Sequence, residues 1–109
     1  MLLNILDGQS ILQRVLARAQ ESVSDHSGAI VATGVSQPML AANPLRAGWV
    51  MQNLSSNPMY INDLGFATVG SGSFSVPPGG AFPAYGYPLS TSAISIVGTA
   101  ADAYTCREW

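Results

Sequence analysis

The reactive inventory of this chain is small: one histidine, one cysteine, six carboxylates and a scatter of hydroxyls. His26 follows Asp25, and a His–Asp pair can act as a general base. Both stand in SDHSG (Ser24 to Gly28), a polar, small stretch that reads as a linker in which a lone imidazole is solvated. A zinc site needs more His or Cys ligands than the chain has. Cys106 has no partner for an internal disulfide or a thiolate cluster. It alternates with Tyr104 and Glu108, which reads as strand packing. Asp63, Asp102 and Glu108 are the carboxylates of the C-terminal region. Hydrolysis by a carboxyl dyad requires two of them across a cleft. Asp63 and Asp102 are the pair to examine, although MYINDLG makes Asp63 a turn residue. No loop is dense enough in carboxylates for calcium. GSGSF (Gly70 to Phe74) lacks the strand-to-helix context of a nucleophile elbow, and PPGG (Pro77 to Gly80) opens no helix that could cradle phosphate. No catalytic residue, metal or cofactor is therefore expected.

The aromatic run AFPAYGYP offers a different chemistry. Phe82, Tyr85 and Tyr87 lie among prolines, and such rings stack on sugars or press against a neighbouring protein. A sugar site would appear as a concave face lined by Tyr85, Tyr87 and Trp49. Without polar side chains around the rings, protein contact is the favoured reading.

These residues must be carried by two kinds of element. Residues 10–24 have apolar positions at Ile11, Leu12, Val15, Leu16, Ala19 and Val23, the spacing of one helical stripe. Ser10 with Gln13 resembles a capping box, and Gly28 is a stop signal. The stripe needs cover. Leu12, Val15, Leu16, Ala19 and Val23, together with Phe82, Tyr85 and Tyr87, are the expected oligomer or partner contacts. The helix either pairs with copies of itself, docks on a neighbouring subunit or lies over its own β-domain. The remainder reads as β. Strands are expected at Ile30–Thr33, Val35–Leu40 (weakened by Pro38), Gly48–Asn53, Met59–Asn62, Ser73–Val76, Ala81–Phe82, Ile94–Thr99 and Ala103–Trp109, with Gly, Pro, Asn and Ser between them. The expected architecture is mainly β, a sandwich or barrel with an N-terminal amphipathic α-helix. It divides into a helical arm at residues 1–28 and a β-domain at 29–109.

Charge narrows the partners. Hydrophobic residues make up 48% and charged residues 9%, with no lysine, against ~25% charged in ordinary soluble domains. So neutral a surface suits a chain largely covered by partners. A net charge of −2 gives no basic footprint for nucleic acid. MLLNIL is too short to span a membrane and lacks the basic flank of a signal peptide.

Three segments carry a resemblance: R-x-G-W-x-x-Q-N-x-S-x-x-x-M-Y-I-N-x-x-G-x-A-T, then G-S-F-x-V-P-P-G, then A-I-S-I-x-G-T-A-x-D-A-Y-T-x-R-E-W. Together, from Arg46 to Trp109, they resemble small β-domain structural proteins of tailed bacteriophages. The resemblance implies a jelly-roll-like or related β-sandwich and a place in the virion. Capsid cement (decoration) proteins and fibre or tail components would share this β-core. The partners implied are other virion proteins, the major capsid protein first, with a homo-oligomer (dimer or trimer) expected. The N-terminal helix lies outside the match.

Overall fold

A computed structural model describes residues 23–85 and 89–109. Among them are nine strands: β1 (Ser24–Asp25), β2 (Gly28–Ala29), β3 (Gln37–Leu40), β4 (Gly48–Asn53), β5 (Met59–Asn62), β6 (Phe74–Val76), β7 (Ala81–Tyr85), β8 (Ile94–Val97) and β9 (Ala103–Glu108). They form two antiparallel sheets. The first runs β1-β9-β4-β7, with β2 also on β9; the second runs β3-β8-β5-β6. The described chain is thus mainly β, as expected. The helix expected over residues 10–24 lies outside the described residues except for Val23 and Ser24, and neither is helical: Val23 is exposed and Ser24 opens β1, drawn into the sheet by its pairing with Glu108.

Alternation explains the core. In β4, Trp49, Met51 and Asn53 are buried while Gln52 is exposed; in β9, Tyr104, Cys106 and Glu108 are buried while Ala103 and Arg107 are exposed. Period-two patterning of this kind puts one face of a strand on the core. Ile61, Ile94 and Ile96 answer from the second sheet, each at 1% exposure or less. Met59, Val76, Met39, Leu40 and Ile30 complete the cluster.

Sequence and structure part company at several strand ends. Ile30–Thr33 is not a strand. The chain pairs earlier, with Ala29 opposite Ala103, and then turns; Ile30 bonds to Asp102 and Ala101 instead. Val31 is left 81% exposed. The supposed linker Ser24–Gly28 holds β1 and the start of β2, with Ser24 opposite Glu108 and Gly28 opposite Tyr104. Its residues are too few and too polar to announce a strand, so β9 supplies the template. The strand expected from Val35 begins only at Gln37, whose side-chain amide bridges Val31 and Ala29. Pro38 is tolerated because β3 is a sheet edge with an irregular register. Strand β7 extends three residues past Phe82, and its Pro83 again lies on an edge. Trp109 follows β9; its backbone bonds Gly48, and its indole covers that glycine. A Cβ on Gly48 would stand 2.5 Å from the ring, so only glycine admits this approach.

Candidate functional site

Three arrangements stand out, the first two at the end of the sandwich where β4 begins. The first is buried and charged. The Arg46 side chain is fully buried. Its Nε donates to Glu108 Oε2 at 2.6 Å, Nη1 to the carbonyls of Ser90 (3.0 Å) and Ser92 (2.8 Å), and Nη2 to that of Ala41 (2.6 Å). His26 Nε2 stands 3.4 Å from Glu108 Oε1, with its side chain only 36% exposed. The solvated imidazole expected from sequence is thus a half-covered one at the margin of an ion pair. Glu108 serves the fold, since one oxygen is taken by Arg46. Asp25 is held at the surface by the Ser27 hydroxyl and amide, which with Arg107 bring its carboxyl down to about 2.

The second arrangement is a cleft of about 360 Å³ between the sheets, at the edge where β6 and β7 stand open. Trp49, Ile61 and Ile94 line it from the core side; Phe74, Phe82 and Tyr85 line it from the edge. Trp49 stacks on Phe82 at 5.4 Å, and Phe82 meets Phe74 at 5.0 Å, so the rings lead from the interior to the surface. The remaining lining includes Asn62, Asp63 and Ser90. Asn62 is consumed by its own turn, accepting from the Leu64 amide and donating to the Phe66 carbonyl. The Asp63 carboxylate has no ion-pair partner among the described residues. Sequence reasoning expected a sugar site as a concave face lined by Tyr85, Tyr87 and Trp49; Tyr85 and Trp49 both line the cleft, with Phe82 beside them, and Tyr87 lies outside the described residues. It missed Asp63, Ser90 and Phe74 as neighbours, because they come from three other segments.

The third arrangement is the connection from β5 to β6. Leu64 is 91% exposed, Phe66 83% and Val69 67%. The loop is nevertheless pinned: the Ala67 amide donates to Ser36 Oγ and the Thr68 amide to Ser73 Oγ, while Asn62 clasps its start. Ala67 itself is buried. No charged residue occurs between Asp63 and Asp102.

The dyad considered from sequence is not assembled. Asp63 follows β5 at the end held by Arg46, through the Ser90 hydroxyl on its carbonyl. Asp102 precedes β9 at the opposite end and accepts from Asn57 Nδ2 at 3.0 Å. Cys106 is wholly buried, and burial, with the Glu108 charge adding, pushes its thiol up to about 12. Among the described residues no three His, Cys, Asp or Glu side chains stand together as metal ligands, and no helix is long and apolar enough to cross a membrane. Leu12, Val15, Leu16 and Ala19 lie outside the described residues. Compared with protein-family models, curated proteins and solved structures, the chain gives no match.

Proposed function

We propose that the protein is a bacteriophage virion structural protein, a capsid cement or decoration protein that bridges and stabilises capsid subunits, and that it is not an enzyme. The observation that carries this reading is the β5–β6 loop. Hydrogen bonds hold it in one shape while it keeps Leu64, Phe66 and Val69 in water. Three large apolar side chains exposed on one tied-down loop suit a contact with a partner. Burying it gains about 25 cal/mol per Å² before ordering costs, and a pinned loop has little ordering left to lose. The absence of charge from Leu64 to Ala101 suits an interface whose centre is dry.

The strand order supports the jelly-roll reading implied by the resemblance. Counting β1 and β2 as one interrupted strand gives eight strands, split into four and four by the order first-last-third-sixth and second-seventh-fourth-fifth. This is how two Greek keys wrap into a double-sheet jelly roll. The amphipathic helix expected over residues 10–24 would add a second apolar contact, either with copies of the chain or with the major capsid protein.

The test is a particle assembled without this protein. Such particles should lose DNA or break at lower temperature or under osmotic shock, and added protein should restore them. Phe66→Asp should bind particles far more weakly while unfolding at the wild-type urea concentration. A second reading, a tail or head fibre or adaptor component touching host glycans, is favoured by the cleft, where Trp49, Phe82 and Tyr85 meet a carboxylate. Particles that stay robust without the protein but fail to adsorb to cells would establish it in place of the cement reading.

A further inference from the structure

The sandwich is open along one flank. Strands β6 and β7 end opposite sheets, and Phe74 and Phe82 line the cleft with no described strand beyond them. Phe74 is left 53% exposed and Tyr85 70%, although Val76, on the same face of β6 as Phe74, is buried. Asp63 is the one charged residue among the described lining. It follows β5 on the inward parity of Met59 and Ile61. Arg46 reaches the Ser90 carbonyl, but its charge is matched by Glu108. The cleft is therefore an apolar, aromatic slot whose own charge is negative. Asp102 has no such setting: it is not among the lining residues, and it accepts from Asn57.

We propose that the cleft binds an arginine side chain presented by a partner protein, its guanidinium on Asp63 and its stem along the rings of Phe74, Phe82 and Tyr85. Presentation by a partner rests on the virion reading above; the chemistry of the cleft does not. A guanidinium is planar and weakly hydrated, so it enters an aromatic slot more readily than an ammonium and still pairs with a carboxylate through directed N–H donors. Its methylenes cover apolar surface behind the charged head. Arginine held in a pocket is a common anchor of protein interfaces.

The polar groups left to an occupant are few. Asn62 is spent on its own turn, and the Ser90 hydroxyl on the Asp63 carbonyl and the Ser92 amide. The Asp63 carboxylate and the Tyr85 hydroxyl are what a ligand meets. One carboxylate matches one cationic head. A sugar ring would bury several hydroxyls, each wanting a partner, against a wall that is mostly apolar.

Acetyl-arginine methylamide, titrated into the full chain and followed by NMR, tests the cleft. A probe this small should bind at about the millimolar level, shifting the Trp49 indole and the amides of Phe82 and Ala84. Its neutral isostere, acetyl-citrulline methylamide, should bind about tenfold more weakly. Asp63→Asn should bring the arginine probe down to the citrulline level. Tyr85→Ala, which removes an exposed ring, should weaken it severalfold. Equal binding of the two probes overturns the proposal, as do shifts centred on Asn57 and Asp102, or no shift with the probe in large excess. Preference for a neutral methyl glycoside overturns it too and gives the cleft to the glycan reading. Particles then test the source. From capsids that retain the wild-type chain, Asp63→Asn should dissociate at least about tenfold faster. Retention equal to wild type would overturn the assignment to a partner, even with arginine bound in the titration. Capsids that never retain the wild-type chain would remove the virion reading and the partner with it, while the titration still decides the cleft.

Discussion

The two ends of the sandwich bury polar groups in opposite ways. At one end Asn53, fully buried, closes the loops with a neutral amide. Its Nδ2 donates to the carbonyls of Asn57 (2.7 Å) and Val76 (3.0 Å), and its Oδ1 accepts from the amide and hydroxyl of Ser55. Its backbone bonds Gly79 and Gly80 of the PPGG turn. Every partner is local to that cap, and nothing is left over. At the other end Arg46 and Glu108 close the loops with charge, and beside them lie the cleft and the Asp63 carbonyl held by Ser90. Both ends satisfy their buried groups. The charged end also opens beside the aromatic cleft.

Removing one partner of the charged end should produce the largest effect. Arg46→Ala leaves Glu108 buried and three carbonyls without a donor, so it should destabilise by about 3–5 kcal/mol, the cost of orphaning a buried charge. Urea unfolding measures it. The double replacement Arg46→Met with Glu108→Leu should be milder than Arg46→Ala alone, since no charge is then stranded. A double variant as unstable as the single would mean that the guanidinium's bonds to Ser90, Ser92 and Ala41 hold this end, with Glu108 incidental.

The neutral end should respond less. Asn53→Ala orphans two carbonyls and the Ser55 donors, at about 1–3 kcal/mol for groups left unsatisfied. Hydrogen exchange should rise in the Leu54–Pro58 and Pro77–Gly80 loops and stay unchanged at Ser90 and Ser92. Faster exchange at both ends would break the division drawn between them.

These two centres also mark the limit of what the sequence discloses. GWVMQN and MYIN alternate cleanly, and their expected bounds are those observed. Trp49, Ile96 and Cys106 could be placed inward because a strand's period is two. Asn53 was visible as a strand residue but not as a cap, since its service depends in part on the end of β6, 23 residues on at Val76. Arg46 and Glu108 are 62 residues apart, and no local pattern joins them. Strands β1 and β2 were illegible for a related reason. Two-residue elements carry no periodicity, and their pairing comes from β9. The cleft was half legible, because Phe82 and Tyr85 share one segment while Trp49, Asp63, Phe74 and Ser90 join them by topology.

A smaller effect of opposite sign is expected beside the neutral cap. Ala101, in the turn before β9, has φ of 71°, a left-handed conformation that costs an L residue strain and glycine none. Ala101→Gly should therefore raise stability, by under about 1 kcal/mol once the greater freedom of unfolded glycine is subtracted. A lowered thermal midpoint would show that the methyl group contributes packing that outweighs its strain.

The smallest effect belongs to Asp25, at the margin of the charged end, and its sign follows from linkage. The Ser27 hydroxyl and amide, and then Arg107, lower its carboxyl from 3.8 to about 2. A carboxyl that holds its proton less tightly in the folded state stabilises that state wherever it is ionised. The contribution is complete above about 4 and fades as pH falls through 2. Asp25→Asn should therefore have its full cost at pH 5, with the difference from wild type shrinking between pH 4 and pH 2. The group is fully exposed, so screening keeps the effect small, and adding salt should diminish the part owed to Arg107 more than the part owed to Ser27. Urea midpoints for both proteins across that window provide the measurement. A difference that instead grew towards pH 2 would mean that β1 is held by its backbone pairing with β9 alone, and that the carboxylate destabilises the turn whose Ser27 donors it accepts.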